Sequence, residues 1–409
     1  MTERVLGPTG SRSRTRRASL LLMALMGLVF GVLIAGGSFA SAAKPGAAVV
    51  DYAQCADGKA DTSDACPSGW INGILNTNNS SYHEDQVTPQ RLIVDFPSGA
   101  SHTINISWLV RKADAHAYDS LATWNHTQTD ADPCQGLSGP TGNACATATG
   151  GTLFPFAIPN DDLVVDSACT TGSTKTSDHQ LPGQQLEMFG LGTGGGVDSM
   201  TYLGATSDSE GLFQNADITF HFGSNAGGRA YLYFGGHLAR GEGGAGWGEN
   251  CGAGSINGGP YHIKENKIDG DAAGARDNQI MSGAVLPLAD ASIASTPAGT
   301  PTTTWSASLT DSATVTGDNP TGSVTFRLYA PTDTTCATAI FTDTQSLVSG
   351  SATSLAFTDI GSAGTYGAGT YQWTVEYSGD LGNNPSGPTA CGDTSEQMTV
   401  TAATPATVS

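Results

Sequence analysis

The stretch DITFHF, Asp217 to Phe222, sets Ile218, Phe220 and Phe222 against Asp217, Thr219 and His221 in strict alternation. A period of two puts one set of side chains on a buried face and the other in water, which is the pattern of a strand in an antiparallel sheet. Similar short runs recur between turn residues: RLIVDF (Arg91 to Phe96), HTINISWLVR (His102 to Arg111), QLEMFG (Gln185 to Gly190) and RAYLYF (Arg229 to Phe234). Helical periodicity is weak beyond the first 42 residues. Glycine, 54 of 409 residues, is about twice its ordinary share of roughly 7% and suits a chain of many tight turns. The reading is all-β: a large, disulfide-linked, β-sandwich-like domain followed by a smaller sandwich.

The chain opens with five arginines (Arg4, Arg12, Arg14, Arg16, Arg17), an apolar run from Leu20 to Ile34, and the small residues Ala40-Ser41-Ala42. Charged, apolar, cleavable is the order of a secretory signal. A run of fifteen apolar residues is shorter than the roughly 20 that span a bilayer, so the expectation is cleavage near Ala42 and no membrane insertion afterwards. The leader takes five of 17 basic and one of 37 acidic residues with it, leaving 12 against 36 and a net charge of −24. Such a surface repels nucleic acid and anionic lipid, whose recognition needs clustered Lys and Arg. Other surface proteins and neutral glycans remain as partners.

Eight cysteines follow the leader: Cys55, Cys66, Cys134, Cys145, Cys169, Cys251, Cys336 and Cys391. An even count without a C-x-x-C pair in an exported chain points to disulfides, in any of 105 connectivities. Pairing of nearest neighbours is the working expectation, and a domain boundary makes Cys336 with Cys391 nearly forced. That boundary is ADASIASTPAGTPTTTW, Ala289 to Trp305, which lacks core-sized apolar residues apart from Ile293 and reads as a linker entering an edge strand. Eleven of the 12 remaining basic residues precede it, and only Arg327 follows. The expected layout is a leader over 1–42, a large β-rich extracellular domain over 43–290, a linker over 291–305, a second sandwich over 306–402 and a tail over 403–409.

In the second sandwich, TGSVTFRLYAP (Thr321 to Pro331) points Val324, Phe326 and Leu328 inward, and AGTYQWTVEYSGDLGNN (Ala368 to Asn384) does the same with Tyr371, Trp373, Val375 and Tyr377. Gly369-Thr370-Tyr371 with Trp373 resembles a tyrosine corner. With Thr335-Cys336, Cys391 and Glu396, these segments resemble the bacterial immunoglobulin-like repeats of secreted and cell-wall proteins. That resemblance covers about a quarter of the chain and implies an immunoglobulin-like spacer or adhesion module. Three earlier pieces, Gln54 to Gln86, His116 to Asn125 and Ser255 to Ile280, resemble a group of exported bacterial surface proteins that carry immunoglobulin-like or prealbumin-like modules downstream. No activity travels with that likeness.

Candidate chemistry is sparse. GGHLARGEGGAGWG, Gly235 to Gly248, is followed by neither the lysine nor the helix that a phosphate loop requires. Ala253 to Asn257 lacks the glycines of a serine-hydrolase elbow. His237 and His262 could converge on zinc, although no second tight pair supports them. DGDAAGARDN, Asp269 to Asn278, matches a calcium loop at Asp269, Asp271, Gly274 and Asp277 but puts Ala273 and Ile280 where oxygen ligands belong, which makes it a weak calcium candidate. A glycosidase needs two carboxylates across a bond; Glu84 with Asp119 is one nomination that nothing local selects. The glycine-rich segment is therefore expected to carry the chain across the sandwich end, tied by Cys251 to Cys169 and plugged by His237, Trp247 and His262. These readings together give an exported surface protein, structural or adhesive, without catalysis and without a cofactor beyond weak calcium. The rival is a secreted carbohydrate-binding protein or glycosidase accessory.

Overall fold

A computed structural model describes residues 46–59, 65–165, 174–242, 246–272, 276–299, 307–361 and 365–402. The fold is all-β, sandwich-like and disulfide-linked. The expected leader and tail, Cys169, Gly274 and Trp305 lie outside the described residues.

In the larger body, one antiparallel sheet runs in the order Trp70–Ile71, Ala48–Cys55, Val87–Phe96, Gly228–Leu238, Gln185–Phe189, Phe154–Ala157, with Tyr118–Ala122 also paired to Gly228–Leu238. A second sheet runs Gly196–Tyr202, Leu212–His221, His102–Lys112, Tyr261–Ile268, Arg276–Ile280, Ile74–Leu75. Their facing sides share one core, in which Leu92, Val94, Leu232 and Phe234 of the first sheet meet Ile104, Ile106, Ile218 and Phe220 of the second. The alternation of Asp217 to Phe222 holds: Ile218, Phe220 and Phe222 are buried, and their alternates form the outer face.

Val87–Phe96 and Gly228–Leu238 are buried on both faces because the far side of the first sheet is covered too. There Trp70, Ile93, Trp124, Phe189, Tyr231 and Tyr233 form a second cluster, closed by the α-helix Gly139–Thr149. This helix carries no apolar stripe that a periodicity reading could detect. Pro140 stands at its start, where a missing N–H costs nothing, and its buried residue is Cys145, bridged to Cys134. Arg91 ties the same segment down, donating to the Pro133 and Gln135 carbonyls while its guanidinium pairs with Asp51 at 3.0 Å.

The smaller body packs the sheet Ser292–Gly299, Ala307–Thr316, Ser351–Thr353, with Phe357–Ile360 also on Ala307–Thr316, against the sheet Phe341–Ser346, Ser323–Tyr329, Gly369–Tyr377, Gln397–Val400. Val324, Phe326, Leu328, Tyr371, Trp373, Val375 and Tyr377 all lie in its core, and the Tyr371 hydroxyl donates to the Gly367 carbonyl at 2.6 Å. The expected linker 291–305 is in part a strand: Ser292–Gly299 pairs along its whole length with Ala307–Thr316. Ile293, Ser295 and Pro297 turn inward there, and a proline is tolerated because the strand is at an edge. Both bodies belong to one compact unit, Pro45–Ser409, and meet where Ala289 exchanges backbone hydrogen bonds with Gly382 and Asn384.

Cys55–Cys66, Cys134–Cys145 and Cys336–Cys391 are bridged, joining neighbours in sequence, and Cys251 is also disulfide-bonded. The Cys336–Cys391 bridge spans 55 residues. Replacing both cysteines with serine should cost about 2–4 kcal/mol by releasing the unfolded chain, read as a lower melting temperature of the full chain. Thiol alkylation without reduction should label no cysteine of the wild type.

One carboxyl works against this sandwich. Asp311 is buried, and burial, reinforced by the nearby Glu396 carboxylate, raises its pKa to about 7. The folded chain therefore holds a proton that the unfolded chain releases near 3.8, so the contribution is full at low pH and is lost as pH rises through about 7. Asp311→Asn should leave stability at pH 4 unchanged and add about 1–3 kcal/mol at pH 8, measured by urea melts at the two pH values.

Candidate functional site

The glycine-rich segment begins inside a strand rather than at a crossing. Gly235, Gly236 and His237 continue Gly228–Leu238, paired on one side with Pro89, Thr88 and Val87 and on the other with Ala122, Leu121 and Ser120. Glycine is needed because neighbours fill the space of a side chain. A Cβ on Gly236 would lie 2.6 Å from Ile263 Cδ1 and 2.7 Å from Tyr118 Cδ1, and one on Gly235 would collide with Val87.

This pairing delivers the His237 imidazole into a buried set of charges. Its Nδ1 lies 2.6 Å from Asp119 Oδ1 and its Nε2 3.2 Å from Asp85 Oδ1. Asp85, held in a left-handed conformation at φ 70°, also receives Arg240 at 3.0 Å. Burial alone would lower the imidazole pKa, but the two carboxylates, Asp119 foremost, overcome it and hold the ring up at about 10. Burial likewise opposes ionisation of Asp85, and His237 with Arg240 reverses that and lowers its pKa. His237 is thus an imidazolium at neutral pH, bonded at both nitrogens, and has no lone pair with which to take a proton.

Trp247 shares the same carboxylate. Its indole Nε1 donates to Asp119 Oδ2 at 3.1 Å, and its ring lies between two stacked imidazoles, His116 and His179, each 3.6 Å away by ring centroid. Burial, with Arg111 and His179 adding to it, lowers the His116 pKa to about 3, so this ring stacks as a neutral imidazole. Glu84 seals the floor. Its carboxylate accepts the Gly241 and Gly254 amides at 2.8 and 2.9 Å. Glu84 is thus taken up by two backbone amides, and Asp119 by His237 and Trp247.

The other sequence candidates go elsewhere. His262 bonds Asp277 through Nδ1 at 2.9 Å and lies 3.7 Å from Glu210 through Nε2; among the described residues it shares no hydrogen-bond partner with His237 or Trp247. The three aspartates of the calcium candidate do not close on one point. Asp269 accepts from the Thr103 amide and pairs with His102, Asp271 bridges back to Ile268 through its backbone, and Asp277 sits on a strand opposite Lys264. The physical reason is that Asp269 and Asp271 lie in a turn closed by the Ile268–Asp271 bridge, whereas Asp277 lies on the following strand with its carboxylate held by His262. No group of three metal-ligating side chains converges among the described residues.

The sequence reading missed His116, His179, Asp85 and Arg240 in this cluster. It also missed a groove of about 650 Å³ on the outer face of the second sheet, floored by Asn105, Asn215, Asp217 and Asn266. The signal for the groove was present in the polar alternates of His102 to Arg111 and of Asp217 to Phe222.

No protein-family model matches the chain, and no curated protein matches it. Among solved structures, the dimeric latent PorU from Porphyromonas gingivalis aligns over 88% of this chain and 34% of its own length, at 10% identity and a TM-score of 0.19. The chain spans about a third of that protein's length, and a likeness at this level carries neither fold nor function across.

Proposed function

We propose that this is an exported cell-surface protein, structural or adhesive, that works by binding and spacing and not by catalysis. One observation carries the reading: the constellation closest to an acid–base site, His237 with Asp119 and Asp85, is a closed ion cluster with its imidazole protonated. A charge so enclosed rivets strands together. The leader, the bridged cysteines and the strongly negative balance suit an oxidising, extracellular setting, and the immunoglobulin-like resemblance of the smaller body suits a spacer that presents the larger one. Among the described residues no helix is long and apolar enough to cross a membrane.

Beads coated with the full chain should adhere to a panel of immobilised extracellular proteins and polysaccharides. A broad hydrolase screen should show no turnover. Turnover that disappears in His237→Gln under conditions where that variant stays folded would overturn the proposal.

A further inference from the structure

The outer face of the larger body's second sheet carries a groove of about 650 Å³, within the roughly 300–1,000 Å³ of small-molecule sites. Its floor comes from three neighbouring strands whose inward alternates build the core, so the groove side chains are fixed by the same register that fixes the core. They are short amides and hydroxyls, locked to one another. Asn266 Nδ2 donates to Asn105 Oδ1 at 2.9 Å and to Ser107 Oγ at 3.0 Å, Asn105 Nδ2 donates to Asp217 Oδ1 at 2.7 Å, and Asn215 Nδ2 donates to Thr206 and to the Gly204 carbonyl on the wall.

These bonds orient the groups and leave a mixed set facing the groove. Among the described residues, Asp217 Oδ2, Asn266 Oδ1 and the Lys267 amine make no further hydrogen bond or ion pair. Each hydroxyl of a polyol is a donor and an acceptor at once, and such a mixed set matches it; a polyanion would ask for donors alone. Charge points the same way. Lys264 is already taken by Glu210 at 2.6 Å, so Lys267 stands against Asp208 and Asp217 around the groove and the local balance is slightly negative. That balance disfavours a polyanion. At the lip, Leu203 is 57% exposed and offers an apolar surface to the C–H face of a sugar ring.

We infer that this groove is a binding site for a neutral oligosaccharide. The inference rests on the binding role proposed above and assigns that role one ligand class. The full chain is titrated with maltohexaose, cellohexaose, mannohexaose and chitohexaose, and with a heparin hexasaccharide as the anionic control. At least one neutral probe should bind saturably with Kd below about 1 mM. Leu203→Asp, at an exposed position, should weaken that binding at least about tenfold with an unchanged melting temperature, and Asn266→Ala should act in the same direction. Should Asn266→Ala fail to fold, Leu203→Asp decides alone. Blank titrations with all four neutral probes, binding confined to heparin, or wild-type affinity in Leu203→Asp would each overturn the inference. Coated beads that still adhere to protein surfaces while the groove is blank would place the failure in the ligand class and not in the binding role.

Discussion

Trp247→Ala should destabilise the full chain by about 3–5 kcal/mol, the usual cost of deleting a large buried aromatic side chain, and lower its melting temperature by roughly 10 °C. Three losses add up at this position. The indole is 2% exposed, so its removal opens a cavity that a strand-rigid surrounding cannot close. Two histidine rings lose the surface on which they stack. Asp119 loses a hydrogen-bond donor in a setting where it cannot turn to water. Chelator should leave the wild-type melting curve where it is, and Asp269→Asn with Asp271→Asn should move it little. Unfolding of the wild type by chelator alone, paired with a mild Trp247→Ala, would show that a metal holds this end instead of packing.

His237→Gln should cost about 3–5 kcal/mol at pH 6, because it leaves the buried Asp119 without its cation and Asp85 with Arg240 alone. The pH dependence gives the sharper test. A folded pKa of about 10 against 6.5 for a free histidine means that the folded chain keeps a proton which the unfolded chain gives up. The stabilisation is fully present below pH 6.5, declines above it and is gone once the pH passes about 10. Wild-type stability should therefore fall by up to about 1.4 kcal/mol per pH unit across that window. His237→Gln should remove that slope, so that the two proteins converge in stability toward pH 10. Parallel curves from pH 6 to pH 10 would show that the ring is neutral, which would also remove the main argument against its acting as a base. Urea midpoints at four or five pH values suffice.

Alternation is a local property, and where it governs, the sequence could be read directly. Ile218, Phe220 and Phe222 in one body and Val324, Phe326, Leu328, Tyr371, Trp373, Val375 and Tyr377 in the other are inward as their spacing dictates, because a two-residue repeat on a twisted ribbon can bury only one set. The helix Gly139–Thr149 escaped for the converse reason. Its residues are Gly, Ala, Thr, Asn, Pro and one Cys, and what keeps it folded is a bridge to Cys134 and the underside of a sheet, neither of which leaves a periodic trace. Ser292–Gly299 looked like linker because an edge strand buries so little that Ile293 is its only large apolar residue.

The sequence by itself determined the all-β class, the inward set of the recognised strands, and which residues were chemically capable of forming a site. Tertiary structure alone decided which of them met. His237 bonds Asp119 across 118 positions and Asp85 across 152, while His262, on a different strand, goes to Asp277. Strand register sets such meetings, and a slip of one residue would send every side chain to the opposite face. Register is fixed by the packing of whole sheets, so no window of neighbouring residues contains it. For the same reason Gly235 and Gly236 could be counted in the sequence but not explained by it: the atoms that forbid a side chain there belong to Val87, Tyr118 and Ile263, which only the closed sandwich brings near.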